Sequence, residues 1–503
     1  MKKIILALIL VVASNQFLSA QEKQSQLIKR IEYDSKELDL TRKLEVHKLE
    51  DERLLVVTSQ YKDKKFTYMF SKLNQDLDEV AEQEFQVSKK HYYGASYKTK
   101  SHFFVFFQTR KGKYILMSID LASMEINSVE GEVGKKISFG KMNVIGDYVF
   151  FDSRAKRETF LTKINWKNGK KEVIPVTVKD NKAKSIRYTN SQLLKDESEL
   201  FYFIRADKEK ETYVMRIGTD GKKKDFFSLT KNYDQVISEI SVSKVGEDEY
   251  IYTGTYSEKS AYASSGMFIG KSVGRSVKFI ENYNFLNLNN FLNHLKERKV
   301  KKIERKKKRK EKKGKELSYN YNIACHDIIK KGDRYIFIGE AYYPTYRTET
   351  TYVTNADGTQ TTRTRTVFDG YQYTHAVIAS FDESGQLIWD NSFELYSAYK
   401  PFYVKQFISV SEATDEEVEM IFSSGRNINF KTVNQFNGKT IKERKSEIIS
   451  TGDDTDKLKS FGTSETDYWY GDYFITYGYQ KIKNKTGKKK KKRKVHFINK
   501  IQF

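Results

Sequence analysis

The sequence has few of the residues that crosslink a chain or break its strands: among 503 residues there are one cysteine, Cys325, and three prolines. A single cysteine excludes an internal disulfide framework and a cysteine-rich metal site. The scarcity of proline excludes a Pro-rich linker protein, and together with 34 Tyr and 33 Phe it favours a chain of many β-strands. Because no run reaches 18 consecutive apolar residues, we expect the mature chain to be soluble.

Recognisable catalytic motifs are also missing. No GxSxG sequence, Walker loop or glycine-rich dinucleotide fingerprint occurs. The seven histidines have no metal-ligand spacing, and they include His102, His326, His375 and His496. An acidic loop lacks the spacing of a calcium loop and favours a solvated turn; it contains Asp453, Asp454 and Asp456. The sequence therefore predicts no catalytic, cofactor-binding or metal site, and a protein that is not an enzyme.

The tripeptide Cys325-His326-Asp327 is the one arrangement that suggests a nucleophile beside a base. Adjacent residues of a strand point to opposite faces of the sheet, so the thiol and the imidazole are not expected to meet. We expect Cys325 to be a small buried apolar side chain.

The amino terminus has the order of a secretory signal peptide. Lys2 and Lys3 precede an apolar run from Ile4 to Ala13, which is too short to span a bilayer, and small residues follow at Ser19 and Ala20. We interpret residues 1–20 as a signal peptide and expect an exported, periplasmic protein, peripherally associated with the outer membrane. No cysteine follows the run, which argues against a lipoprotein anchor. Export makes nucleic acid an unexpected partner.

The formal net charge is +24, and two runs carry most of it. Residues 296–315 hold 14 Lys and Arg against three Glu, and residues 481–494 hold ten Lys and Arg and no acid. Their charges of +11 and +10 leave +3 for the rest of the chain. Such runs are solvated surface elements or docking segments for an anionic protein, glycan or lipid surface.

The rest of the sequence repeats a hairpin of two β-strands. Its first strands begin at eight positions: Leu54, Phe103, Asp147, Leu200, Tyr250, Arg334, Glu419 and Asp472. Units of about 45 to 50 residues with about four strands each are typical of a β-propeller. Residues 21–503 are therefore predicted to form an all-β fold, a single propeller of eight four-stranded blades. Seven blades, or two β-sandwich domains, are the alternatives.

The last unit stops one strand short, at Phe503. The segment Leu27 to Leu40 precedes the first unit and is predicted to supply the missing strand, closing the ring and removing an exposed sheet edge.

Three insertions lengthen the repeat. Residues 284–317 are predicted to form an amphipathic helix, because Phe285, Leu288, Leu292 and Leu295 recur at helical spacing, followed by a charged extension. Residues 343–373 are predicted to form a protruding β-hairpin. Residues 481–494 form a basic loop. In a four-stranded blade all three connections leave from one face of the disc, so a decorated face is expected.

Aromatic and arginine side chains concentrate at the base of the predicted hairpin and are enriched in binding hot spots. Together with the basic runs they form the predicted partner-binding set, the alternative being that the insertion packs on its own blade. The set comprises Lys306, Lys307, Lys308, Arg309, Lys310, Tyr343, Tyr346, Arg347, Tyr371, Tyr373, Lys490, Lys491, Lys492 and Arg493.

The segments AYYPTYRTET, TVFDGYQYTHA and GQLIWDNSFEL, with the signal peptide and the Lys-rich insertion, make the chain similar to uncharacterised exported β-propeller proteins of Bacteroidota. This resemblance implies an envelope location and supplies no site. By analogy of fold and compartment it suggests an accessory subunit of an outer-membrane assembly such as a secretion translocon.

Two hypotheses follow. The first is a non-enzymatic propeller that binds an envelope protein complex through its decorated face. The alternative is a glycan-binding or hydrolytic propeller with a site in the central channel. A polar cluster with acidic groups along the channel would favour the alternative, and an apolar or plugged channel would oppose it.

Overall fold

A computed structural model describes most of the chain after the predicted signal peptide. The described residues are 26–35, 44–134, 136–156, 158–178, 186–206, 210–231, 233–258, 263–354, 356–411, 416–453, 455–484 and 492–502. The predicted signal peptide, residues 1–20, lies outside them.

The strands form eight separate antiparallel sheets, and in seven of them they follow chain order from the inside outwards. Blade 1 contains β2 (Glu45–Lys48), β3 (Leu54–Lys62), β4 (Lys65–Leu73) and β5 (Glu79–Ser88). Blade 2 contains β6 (Tyr92–Lys98), β7 (His102–Gln108), β8 (Lys113–Asp120) and β9 (Ile126–Glu132). Blade 3 contains β10 (Ile137–Ile145), β11 (Tyr148–Ala155), β12 (Glu158–Asn165) and β13 (Lys171–Pro175). Blade 4 contains β14 (Ile186–Leu193), β15 (Glu199–Ala206), β16 (Glu211–Gly218) and β17 (Lys223–Ser228).

The second half of the chain repeats this plan. Blade 5 contains β18 (Val236–Gly246), β19 (Glu249–Ser257), β20 (Gly266–Val273) and β21 (Ser276–Asn284). In blade 6 the innermost position is shared by β22 (Asn322–Cys325) and β23 (Ile329–Lys331), followed by β24 (Arg334–Thr354), β25 (Gln360–Phe381) and β26 (Leu387–Glu394). Blade 7 contains β27 (Ser409–Val410), β28 (Glu417–Ser424), β29 (Asn427–Asn434) and β30 (Thr440–Ile448).

Blade 8 joins the two ends of the chain. It contains β31 (Asp456–Tyr470), β32 (Tyr473–Asn484) and β33 (Arg493–Gln502), and its outermost strand is β1 (Gln26–Asp34). Strand β1 runs antiparallel to β33, with Ile31 opposite Ile498. The predictions of eight blades and of closure by an amino-terminal strand are both confirmed.

The core lies between blades rather than in one central mass. Eight clusters of buried hydrophobic side chains each join two neighbouring blades. Phe70 of blade 1 packs with Phe103 and Phe107 of blade 2, for example. The cluster that joins blade 8 to blade 1 contains Ile475 and Leu54 and completes the ring. Alternating strand residues supply both faces of every blade, which explains the richness in Phe and Tyr.

The connection between blades 5 and 6 differs from its prediction. Phe285 and Phe291 are fully buried, but the apolar segment forms a 3₁₀ turn at Phe285–Asn287 and further turns rather than an α-helix. The backbone N–H groups of Asn289 and Asn290 donate to the carboxylate of Asp390 (2.9 and 2.7 Å), which takes them from a helical hydrogen-bond pattern. The α-helix, α1 (Glu297–Glu311), lies instead in the basic run.

In blade 6, β24 and β25 continue beyond the sheet as a long paired hairpin, with Arg347 opposite Val367 and Thr354 opposite Gln360. In blade 8, β32 and β33 extend into the predicted basic loop, where Lys481 pairs with Lys494, while residues 485–491 lie outside the described part. No helix in the part of the chain that the structure describes has the length and apolar character needed to cross a membrane.

Arg30 ties the closing strand to the rest of the ring. Its side chain is 6% exposed and donates to Glu32 Oε1 (2.9 Å), the Ser450 carbonyl (3.0 Å), Asn499 Oδ1 (3.0 Å) and Gln480 Oε1 (2.7 Å). Replacing Arg30 with alanine removes the donor from Asn499 Oδ1 and Gln480 Oε1, while Glu32 keeps its pair with Arg493, so we expect a loss of about 3 kcal/mol in the free energy of unfolding, measured by chemical denaturation.

The neighbouring Lys29 is the matched control, because its side chain is 37% exposed and pairs with Asp78. Lys29→Ala is expected to change stability by less than about 0.5 kcal/mol. Equal effects of the two substitutions would contradict the role given to Arg30 in closure.

Candidate functional site in the central channel

The innermost strands of five successive blades are irregular. Pairing with the next strand is interrupted at four β-bulges, Tyr93/Ala95 in β6, Phe139/Met142 in β10, Tyr188/Asn190 in β14 and Ile237/Glu239 in β18. In blade 6 the innermost position is broken between Cys325 and Ile329. Bulges redirect side chains and are frequent beside active sites. Since innermost strands surround a propeller's channel, these irregularities place polar side chains along it.

Polar side chains from these strands also hold neighbouring blades together. Lys141 Nζ donates to the Ser191 carbonyl (2.6 Å) and to Asn190 Oδ1 (3.3 Å). Asn190 Nδ2 in turn donates to the Ile240 carbonyl (2.7 Å). These bonds connect β10 to β14 and β14 to β18, so the positions of the channel side chains are fixed by the ring itself.

Three carboxylates from three blades act on Lys141. Desolvation lowers the pKa of its ammonium group, and Asp327, Asp152 and Glu239 oppose that shift, in decreasing order. They belong to blades 6, 3 and 5. The channel therefore holds a cluster of mixed charge, with one ammonium within electrostatic range of three carboxylates.

Glu239 has the most unusual environment of the three. Glu239 belongs to β18, and burial raises the pKa of its carboxyl to about 7. Lys141 partly opposes this rise. A carboxyl with a pKa near 7 exchanges protons at the pH where most enzymes work, which suits a general acid or base.

Asp152 occupies space that only glycine leaves free. An added Cβ at Gly140 would collide with its carboxylate. Burial raises the pKa of Asp152, and its Oδ1 has no hydrogen-bond partner among the described residues.

Further unpartnered polar atoms lie close by at the bulges. In the described part of the chain they include Tyr188 Oη, Thr189 Oγ1 and Ser238 Oγ. Buried polar atoms in native proteins almost always have a partner, so these exceptions mark places where an ordered water or a local rearrangement would satisfy them.

Tyrosines complete the lining. Burial raises the pKa values of Tyr97, Tyr188 and Tyr342 well above the ordinary value, so these phenols are neutral donors at physiological pH. All three are partly exposed. Their rings pack against the hydrophobic clusters between blades, and their hydroxyls are hydrogen-bond donors.

His326 lies beside this cluster and is held by Glu340. The Glu340 carboxylate is fully buried; it lies 2.7 Å from His326 Nε2 and accepts from the backbone N–H groups of Phe407 and Ile408 (both 2.9 Å). Burial raises the pKa of the Cys325 thiol well above its ordinary value, and Glu239 raises it further. His326 Nε2 is engaged by Glu340, and the Cys325 residue is half-buried rather than fully buried as the sequence predicts.

The other candidates from the sequence have structural roles. His375 is fully buried, and desolvation lowers its pKa to about 3. The Asp456 carboxylate accepts from Asn484 and Arg493, and Asp453 caps its own turn through Thr455. Asp454 lies outside the described residues. Within the described ranges, no group of three His, Cys, Asp or Glu side chains is arranged to hold a metal ion.

The basic members of the predicted partner-binding set lie away from the channel. Lys306, Lys307, Lys308, Arg309 and Lys310 are on α1. Lys307 Nζ donates to the Leu286 carbonyl (2.9 Å), whereas the other four are exposed. Near blade 8, Lys492 is exposed, Arg493 pairs with Glu32 and Asp456, and Lys490 and Lys491 lie outside the described residues.

The members of the set at the hairpin differ in how exposed they are. Tyr343 and Tyr346 are exposed on the hairpin, and Arg347 pairs with Glu349 and Asp369. Tyr371 is partly buried against Tyr342. Tyr373 is 1% exposed, in the core between blades 6 and 7, and its hydroxyl donates to the Lys405 carbonyl (2.6 Å). Tyr373 is therefore not available for the predicted surface contact, because the regular blade pairing extends past it.

The sequence patterns do not single out Lys141, Asp152, Tyr188 or Glu239, and they contain Asp327 only as a neighbour of Cys325 and His326. A signal was present: Gly94, Lys141, Thr189 and Ser238 occur about one repeat apart, each close before the first strand of a recognised hairpin. Alignment of the units at these positions would have indicated bulged innermost strands, but not which side chains share the channel.

Solved structures with similar folds include several enzymes. A prolyl endopeptidase matches with 12% identity and a TM-score of 0.40, covering 88% of this chain and 56% of its own. A polysaccharide lyase matches with 10% identity and a TM-score of 0.36, covering 81% and 89%. The β-propeller domain of a trilobed protease from Pyrococcus furiosus matches with 9% identity and a TM-score of 0.32, covering 82% and 95%. No protein-family model and no curated protein matches the chain.

These comparisons overturn one prediction. The lack of a catalytic motif was taken to exclude an enzyme, yet the propellers similar to this chain include prolyl endopeptidases and a polysaccharide lyase. The prediction of a non-enzyme is therefore wrong. At these identities the likeness concerns the fold, and the activities of those proteins are not transferred to this chain.

Glu239 makes stability depend on pH. Its pKa is 4.5 in the ordinary state and about 7 when folded, so the folded state holds the proton more tightly. The contribution of Glu239 to the free energy of unfolding is therefore fully present below about pH 4.5 and is lost as the pH rises to about 7. The free energy of unfolding of Glu239→Gln, minus that of the wild type, is expected to increase by about 2 kcal/mol from pH 5 to pH 8. Urea denaturation at both pH values measures it.

Glu130→Gln, on the outermost strand β9, is the control and should show no such gain, because Glu130 is exposed. A pH-independent difference between Glu239→Gln and the wild type would contradict the proposed environment.

Cys325 is expected to resist alkylation because its raised pKa leaves little thiolate. At pH 8 iodoacetamide should modify the folded protein at least tenfold more slowly than the urea-unfolded chain, as followed by mass spectrometry. Equal rates would show that the thiol is exposed and ionisable.

Proposed function

We propose that the protein is a carbohydrate-active propeller that cleaves a glycosidic linkage in its central channel, with Glu239 as the proton donor. The observation that carries the proposal is a carboxyl with a pKa of about 7 beside Lys141 and two further carboxylates contributed by other blades. Pairs of carboxyl groups in contrasting environments are the usual equipment for glycoside cleavage.

Glu239, Asp327 and Lys141 each have a role in the proposed hydrolysis. The protonated Glu239 gives its proton to the leaving oxygen as the glycosidic C–O bond breaks, and a water adds to the anomeric carbon while passing a proton to the Asp327 carboxylate. Asp327, from the break in the innermost position of blade 6, supplies a second carboxylate across the channel. Lys141 balances the negative charge that remains when Glu239 has lost its proton.

Peptide cleavage is less well supported by the site. Ser101 Oγ lies 2.8 Å from His102 Nδ1, but His102 Nε2 is 3.7 Å from the Asp120 carboxylate, too far for a hydrogen bond. Asp120 already accepts from the backbone of Ala122 and Ser123 in its own turn. The imidazole is thus not oriented as in a Ser-His-Asp triad.

The test is polysaccharide cleavage at pH 6, followed by reducing-end release over a panel of neutral and acidic polysaccharides. Glu239→Gln is expected to lower kcat at least 100-fold, since general acid catalysis contributes about 10²- to 10⁴-fold. Wild-type activity should fall as the pH rises through about 7, because the donor loses its proton.

Glu130→Gln is the matched control and should keep wild-type activity. Full activity of Glu239→Gln, or release from no polysaccharide in the panel by the wild type, would overturn the proposal.

A further inference from the structure

The long connections of the propeller gather on one half of one face. The connections between second and third strands and the crossovers between blades share a face, because the strands of each blade alternate in direction. In blades 1 to 4 the second-to-third connections have two to four residues. On the same face, blades 5 to 8 carry the crossover 285–321, the hairpin of β24 and β25, the crossover 395–408 and the paired ends of β32 and β33. We call this half the insertion face.

The crossover 395–408 exposes large apolar side chains on the insertion face. Tyr396, Phe402 and Tyr403 are 63%, 67% and 65% exposed, and Val404 follows them at 44%. Tyr346 of the adjacent hairpin is 62% exposed. Contiguous exposed apolar groups of this kind mark interaction sites.

The apolar side chains are held in place by the base of the hairpin. Phe402 contacts the ring of Phe368 at a centroid distance of 5.8 Å. Lys400 Nζ donates to Asp369 Oδ2 (2.8 Å), and the Tyr371 N–H donates to the Pro401 carbonyl (2.9 Å). The crossover is therefore braced before it meets any partner, which lowers the entropic cost of binding.

A basic helix projects from the same face. Val300, Ile303 and Lys307 of α1 lie on its less exposed side, with Lys307 bonded to the Leu286 carbonyl. The opposite side carries exposed basic residues: Lys301, Lys302, Arg305, Lys306, Lys308, Arg309 and Lys310. These flexible side chains, spread along a single helix, match a diffuse negative surface better than a few fixed carboxylates.

We infer that the insertion face docks on an anionic lipid bilayer, with Phe402 and Tyr403 entering the interfacial region and α1 contacting the headgroups. Aromatic side chains favour the membrane interface, and Lys and Arg side chains near an anionic surface are attracted to it. Exposed aromatic side chains alone, or basic side chains alone, do not indicate a bilayer. The presence of both on one face does. The inference does not depend on the channel chemistry, since it uses other residues.

The test measures binding of the full chain to vesicles of phosphatidylglycerol and phosphatidylcholine by co-sedimentation. Binding is expected to phosphatidylglycerol vesicles only and to weaken as salt rises from 50 to 300 mM, because added salt screens the attraction. Combined replacement of Lys301, Lys302, Lys308 and Lys310 by Gln should weaken binding at least tenfold. Phe402→Ser with Tyr403→Ser should do the same while retaining the salt dependence.

Phe436→Ser is the matched control. Phe436 is 52% exposed in the turn between β29 and β30, on the opposite face, so its removal should leave vesicle binding unchanged. Equal binding to both lipids, an equal loss with Phe436→Ser, or no binding to phosphatidylglycerol would overturn the inference. If only an immobilised acidic protein retains the chain, the face binds protein and the lipid inference is wrong.

Discussion

The structure depends on hydrophobic packing between neighbouring blades. No blade has a core of its own; each of the eight clusters is shared by two sheets, so every blade needs both neighbours. A linear array would leave two apolar sheet faces exposed to water. The cluster between blades 8 and 1 removes both faces at once, and strand β1 covers the outer edge of blade 8. Closure therefore combines burial of apolar area with satisfaction of a strand edge.

The same closure explains why the channel can hold ionisable groups. Burial between blades stabilises the strands well enough that the innermost ones tolerate bulges, where ladder hydrogen bonds are lost. The side chains turned out at these bulges partly replace the lost bonds, as Asn190 does with the Ile240 carbonyl. Others, such as Asp152 Oδ1, have no partner among the described residues. Local irregularity of this kind is usually retained where a site requires it.

The two charge systems of the molecule are separate. Much of the basic excess lies on α1, on the insertion face, where solvent and salt screen it. The channel cluster around Lys141 is of mixed sign and poorly solvated, so its few charges shift one another's pKa values. Net charge therefore bears on where the protein docks, whereas its chemistry depends on a handful of residues that hardly affect the net charge.

The repeat of alternating apolar residues by itself determined the all-β fold, the number of blades and the closing strand, because a strand's pattern and its spacing are local properties of the chain. It misplaced the helix: helical spacing at Phe285 and Leu288 could not reveal that Asp390, about a hundred residues away, would capture the backbone of Asn289 and Asn290. It also missed the site. Lys141, Glu239 and Asp327 belong to different blades, and only ring closure brings them to one channel. The shifted pKa values of Lys141 and Glu239 are products of burial in the closed ring, which no local pattern contains.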